Sequence, residues 1–408
     1  MKRLECTVQD YAWGDPDSIP RLLGTEPDGT PAAELWMGAH PKAPSRSDSA
    51  SLDELIADAP AELLGAETAD RFGQLPFLFK VLAAAQPLSI QTHPSLDQAR
   101  AGFARENAAG IDLGAPYRTY RDANHKPELI CALTPFAARV GFRPVSEARE
   151  VLAILQETAA GPTPHLDELL AQMQADGDDT QVLQGVLAHL LRLDAATVPQ
   201  LIGEVLDAAR QVTSGDRADE LAWLDTMDRH FPLDVGIAVA LLLNHVDLSP
   251  GEAVFLPAGN LHAYLRGTGV ELMANSDNVV RGGLTPKHID IDELLAVVDA
   301  TPLDPEVQRP GGAVHTYASP VPEFALTKLL GSAEQQEPIA LDGTGPRIVL
   351  ITAGTWILTS DTHEEPLTAT QGQVVFVGND EGALRLLPDA AGTPEAAEAF
   401  VAGIGAGE

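Results

Sequence analysis

The sequence is poor in cysteine, in cations and in long apolar runs, and each shortage closes off a class of function. Two cysteines, Cys6 and Cys131, are too few for a disulfide framework and cannot build a thiolate zinc site. Lys and Arg number 26 against 59 Asp and Glu, a formal charge of −33. A field of that sign repels nucleic acid and anionic lipid headgroups, so neither is an expected partner. An anionic metabolite would have to be held by a few local cations. No run of about 18 uncharged apolar residues occurs. The opening segment, Met1-Lys-Arg-Leu-Glu-Cys-Thr-Val-Gln-Asp10, carries charge where a signal peptide needs an apolar core. A soluble, cytoplasmic protein is expected, with no membrane association and no obligate protein partner.

What is present supports a folded chain of two or three domains: 408 residues, 45% of them apolar. The 35 glycines and 31 prolines favour a turn-rich fold containing β-structure. Ser51-Leu-Asp-Glu54 forms a capping box ahead of a short helix, and Leu75–Leu82 and Leu88–Thr92 have the pattern of strands. From Ser146 to Asn244 the texture changes. Ala148, Val151, Leu152 and Leu155 follow helical spacing, as do Leu166, Leu169, Leu170 and Met173, and the pattern continues through Val182–Leu190 and Leu201–Leu206. Five or six helices are expected there, the one after Thr197-Val-Pro-Gln200 opened by a capping box, and their role is structural. After Asn244 short strands return at Ala253–Leu256, Arg347–Ile351, Trp356–Thr359 and Gln373–Val377. The stretch Thr301–Pro322, with five prolines, is the expected linker.

Three segments carry chemistry. Gln91-Thr-His93 ends a strand, and positions i and i+2 share a face, so both side chains can reach one ligand. Gly251-Glu-Ala-Val-Phe-Leu-Pro257-Ala-Gly259-Asn-Leu-His262 resembles the second motif of the cupin superfamily of small β-barrels, with Arg266 where that motif has Asn. Tyr120-Arg-Asp-Ala-Asn-His-Lys-Pro-Glu128 resembles the signature of the type I phosphomannose isomerase family. Tyr11-Ala-Trp13-Gly14, Leu88-Ser-Ile-Gln-Thr-His-Pro94 and Asn275-Ser-Asp-Asn-Val-Val-Arg281-Gly-Gly-Leu-Thr-Pro-Lys287 agree with it, in the family's order.

The resemblance implies one Zn²⁺ per chain, held by Gln91, His93, Glu128 and His262. Two imidazoles and two oxygen donors suit this borderline ion, and a Gln in place of a second carboxylate leaves the site near +1, with Lewis acidity to spare. It further implies Arg281 and Lys126 as catalytic cations, and Ser89, Lys287 and Trp13 as substrate-binding residues. His125 is expected to be a structural group or one that supports the ligands, rather than a ligand itself. The proton-transfer base stays open among Glu271, Lys126, Asp277 and a water on the metal, with Glu271 favoured. The implied reaction interconverts mannose 6-phosphate and fructose 6-phosphate through a cis-enediol and feeds mannose and GDP-mannose metabolism. The implied fold is mainly β, with two cupin jelly-roll barrels and a helical insertion. The catalytic barrel comprises residues 1–145 plus 245–318, the insertion 146–244, and a degenerate barrel 319–408, where Gly372-Gln-Val-Val-Phe-Val-Gly378 repeats the strand–turn pattern without a His. Two other readings are a cupin dioxygenase using iron and a non-enzymatic sugar-binding bicupin.

Overall fold

Alternation along the strands decides which layer each one faces. In a computed structural model, residues 1–341, 343–363, 365–392 and 396–406 are described, and they form 20 strands and 12 α-helices. The class is thus mixed α/β with antiparallel strands, and more helical than the mainly β fold expected. The sheets have ten, six and four strands, and among the described residues none closes on itself. The closed barrels expected from the sequence are therefore replaced by stacked open sheets.

In the strand Phe77–Ala84, Phe77, Phe79, Val81 and Ala83 pack with Ile348, Leu350, Phe376 and Phe400 of the six-stranded sheet. Leu82 and Ala84 face the opposite way, into a second cluster with Ile130, Phe136 and Leu256. The six-stranded sheet is buried on both faces: Val349 and Ile351 pack with Trp356, Leu358 and Leu386 of the four-stranded sheet. This double burial explains the unbroken apolar run Ile348–Ile351. The N-terminal strand Lys2–Leu4 also belongs to the six-stranded sheet, paired with Val374–Phe376. Positions 407 and 408 of the C-terminal segment lie outside the described residues.

The strand His262–Ala274 ties two layers together. Its first part pairs with Ile90–Thr92 and Phe136–Phe142, its second with Phe77–Ala84 and Glu128–Ala132. Between them Gly267 takes φ +129°, and a Cβ there would lie 2.7 Å from the Pro135 carbonyl, so only glycine allows this bend. The turn carries His262 and Glu271 toward one shared interior.

Six helices occupy the expected block, from Val145–Thr158 to Gly236–Ala240, around a core of Leu and Val side chains. The helix at Thr197 lacks the expected cap: Asp194 accepts instead from the Ala196 and Thr197 amides and the Thr197 hydroxyl, because the helix begins one residue too early for Thr197 to stand outside it. The helix Leu96–Ala108 was not expected; it turns Ala99 and Gly102 inward rather than an apolar stripe, so its periodicity is faint. Part of the stretch 301–322 is not linker but strand, Val314–Tyr317, on the edge of the six-stranded sheet. Among the described residues no helix is long and apolar enough to cross a membrane.

Candidate metal centre and substrate cavity

Cross-strand register builds the centre. His262 stands opposite Gln91, and Gln91 opposite Arg281, so the three side chains form a row across three strands. His93, two residues beyond Gln91, joins that face. Glu128 begins the strand Glu128–Ala132 and reaches the same point from the other layer. Its Oε2 lies 3.2 Å from His262 Nε2 and 3.5 Å from His93 Nε2. Gln91 Nε2 is 3.5 Å from His262 Nε2.

The tautomers are set by the backbone. His93 Nδ1 donates to the Asn278 carbonyl at 2.7 Å and His262 Nδ1 to the Asn260 carbonyl at 3.1 Å. Each ring therefore turns an Nε2 lone pair into the centre. Burial, helped by the nearby Lys126 ammonium, pushes the His93 imidazole down to about 4, so that lone pair is free at neutral pH. Burial alone would raise the Glu128 carboxyl, but the Lys126 ammonium holds it well below the usual carboxylate range. Lys126 Nζ takes Glu128 Oε1 at 2.8 Å, while Glu128 Oε2 and His93 Nε2 are buried with no hydrogen-bond partner. Orphaned lone pairs converging within 4.8 Å are what a divalent cation satisfies, so the residues present fit zinc.

A cavity of about 370 Å³ opens beside this centre, and its wall includes Gln91, Glu128, Lys126, Glu271, Trp13, Ser89, Arg281 and Lys287. Burial lowers the proton affinity of Arg281 and Lys287; Arg281 also feels the charge of Arg121, and Lys287 those of Arg281 and Arg121. Among the described residues neither cation has a carboxylate partner. The cavity thus offers lone pairs to a metal and, in Arg281 and Lys287, unpaired positive charge, in a chain of net charge −33.

Residues 1–145 match the family model "Phosphomannose isomerase type I, catalytic domain". The chain is similar to mannose-6-phosphate isomerase of Escherichia coli (strain K12), 44% identical over 337 residues, covering 80% of this chain and 83% of that one. It is also similar to the human protein of that name, 36% identical over 410 residues and 93% of each chain. The chain belongs to the type I phosphomannose isomerase family. Among solved structures, a variant of phosphomannose isomerase from Salmonella typhimurium superposes with TM-score 0.87 at 36% identity, and a structure described as mannose 6-phosphate isomerase, holo and zinc-bound, with TM-score 0.86 at 36% identity, each covering 99% of both chains.

Asp277, one of the base candidates, lies outside the cavity lining: Lys42 Nζ holds it at 2.8 Å, with His40 at 3.7 Å. His125 also points away, its Nε2 2.7 Å from Glu323 Oε1. Sequence reasoning missed Lys80, Glu34 and Tyr264, which line the cavity. Lys80 Nζ bridges Glu271 Oε2 at 3.0 Å and Glu34 Oε1 at 3.4 Å. Tyr264 donates to Glu271 Oε1 at 2.9 Å and the Trp36 indole to Glu34 Oε2 at 2.8 Å. Burial alone would lower the Lys80 ammonium; Glu271, Glu34 and Glu128 hold it well above its ordinary value. A signal existed: a lone lysine inside the apolar run Leu75–Leu82 cannot be buried unpaired.

Proposed function

We propose that this chain is a zinc-dependent aldose–ketose isomerase that interconverts mannose 6-phosphate and fructose 6-phosphate through a cis-enediol, with one zinc per chain on Gln91, His93, Glu128 and His262. The observation that carries the reading is a cavity in which a metal-fitting set of orphaned lone pairs is followed by Arg281, opposite Gln91 on the next strand, and then by the unpaired Lys287. A sugar with hydroxyls at one end and a phosphate at the other matches it. Relatives named mannose-6-phosphate isomerase over most of the chain, and a zinc-bound family structure, support the same reading.

In each turnover a proton leaves C2 and one arrives at C1, while a hydroxyl proton leaves O2 and one joins O1. Zinc, when bound, supplies Lewis acidity toward the sugar oxygens. Glu271, placed between Lys80 and Tyr264, is the group assigned to the carbon-bound proton. Arg281 and Lys126 face the negative charge that develops on the enediolate oxygens. Lys287 and Ser89 take the phosphate, and Trp13 forms part of the substrate-binding wall.

The domain reading follows the same lines. Residues 1–145 with 245–318 form the catalytic unit, 146–244 an inserted helical unit, and 319–408 a degenerate, metal-free cupin. The shared core of the six- and four-stranded sheets supports a jelly-roll origin for the last.

The test is a coupled assay for fructose 6-phosphate formation from mannose 6-phosphate. Turnover that a chelator abolishes and zinc restores is expected. Oxygen uptake with iron would favour the dioxygenase reading, and tight sugar-phosphate binding without turnover a sugar-binding protein.

A further inference from the structure

The helical block does more than pack. Phe231, at the end of the helix Ala218–His230, lines the cavity beside Leu284, Thr285 and Lys287. Three residues on, Asp234 turns its carboxylate onto the segment that carries Lys287: Oδ1 accepts from the Leu284 amide at 2.8 Å and Oδ2 from the Thr285 amide at 3.3 Å. Oδ1 also accepts from the Gly236 amide at 2.7 Å, which fixes the carboxylate relative to its own turn. Leu284 has φ +51°, a left-handed conformation that a branched side chain holds only when its surroundings impose it. The two backbones also meet directly: a Cβ on Gly236 would stand 2.6 Å from the Leu284 amide nitrogen, and one on Gly283 2.5 Å from Gly236 Cα.

We infer that Asp234 is a positioning residue for substrate binding: from the helical block it clamps the Leu284–Lys287 turn so that the Lys287 ammonium meets the phosphate. The inference rests on the proposed isomerase reading, in which Lys287 is the phosphate contact. Asp234 touches no reacting atom, so its removal acts on binding of the phosphate and not on the proton transfer at C1 and C2.

The experiment uses the full-length, zinc-loaded protein and measures kcat, KM for mannose 6-phosphate, and the inhibition constant of inorganic phosphate. Asp234→Ala is expected to raise KM and the phosphate inhibition constant about tenfold, with kcat within threefold of wild type and zinc content unchanged. Asp234→Asn keeps the Oδ1 acceptor but turns an NH₂ toward the Thr285 amide, and an intermediate rise of about threefold is expected. Lys287→Ala should raise both constants, and adding Asp234→Ala to it should change them little further, because the clamp acts through that lysine. If Lys287→Ala raises both constants while Asp234→Ala, or Asp234→Asn should the alanine variant not fold, leaves them at wild type, the clamp is wrong. Additive effects in the double variant would also overturn it. If Lys287→Ala itself changes neither constant, the phosphate assignment falls, and the clamp with it.

Discussion

Arg281 faces two demands, and its place in the sheet separates them. It stands directly opposite Gln91, itself opposite His262, so its backbone lies two strand spacings, roughly 10 Å, from that of His262. On the proposed reading that is where the sugar reacts, whereas Lys287 lies beyond the strand that carries Arg281. Arg281→Ala is therefore expected to lower kcat and kcat/KM together by about 10² or more, with KM little changed and zinc retained. Steady-state kinetics would show the opposite, a raised KM at constant kcat, if the guanidinium only held phosphate. His262→Ala should behave differently, losing the metal and nearly all activity, as metal analysis of the dialysed variant would report. These residues were legible in the sequence because each sits in a short motif at a strand end. Lys80, Glu34 and Tyr264 were not, since their meaning lies in a cross-layer network that no local spacing displays.

Glu220 shows the same lesson for an element. It projects from the helix Ala218–His230 into the sheet, where its carboxylate pairs with Arg139 at 2.6 Å and with Arg143, both guanidiniums being almost fully buried. Burial alone would raise its carboxyl, but the two arginines bring it down to about 2. An ordinary carboxyl protonates near 4.5, so as pH falls the unfolded chain takes up this proton first. The stabilisation is complete above about 4.5 and lost progressively toward 2, and acid unfolding followed by circular dichroism should steepen in that window. Glu220→Ala leaves two buried cations unpaired and should cost about 3–5 kcal/mol in chemical denaturation, an effect that a surface ion pair would not produce. Four of the six helices of this block were plain from their 3.6-residue periodicity. Its attachment to the sheet was not, because Arg139, Arg143 and Glu220 look like any charged residues until the topology joins them. The helix Leu96–Ala108 was missed for a related reason: the ring of Tyr120 needs a glycine beneath it at Gly102, so the inward face is small rather than apolar.

On the scale of the whole molecule, the C-terminal layers cover the back of the layer that holds the site. Phe77, Phe79 and Val81 rest on Ile348, Leu350 and Phe400, Lys2–Leu4 completes the far sheet, and Glu323 holds His125 next to Lys126. Truncation after residue 318 should expose that apolar face and give an insoluble or unstable protein, read by sedimentation and thermal unfolding; a folded truncation that binds zinc normally yet is catalytically dead would show that this layer takes part in the chemistry. The layer was visible in sequence as a set of short strands, but its double burial and its N-terminal strand, supplied from the far end of the chain, were not. The central claim is that one zinc on Gln91, His93, Glu128 and His262 makes the cavity an isomerase site. It is tested most directly by titrating zinc into stripped full-length protein while fructose 6-phosphate formation is followed. The account predicts activity rising from near zero to a sharp break at one equivalent per chain; full activity in the stripped protein, or a break at two equivalents, would contradict it.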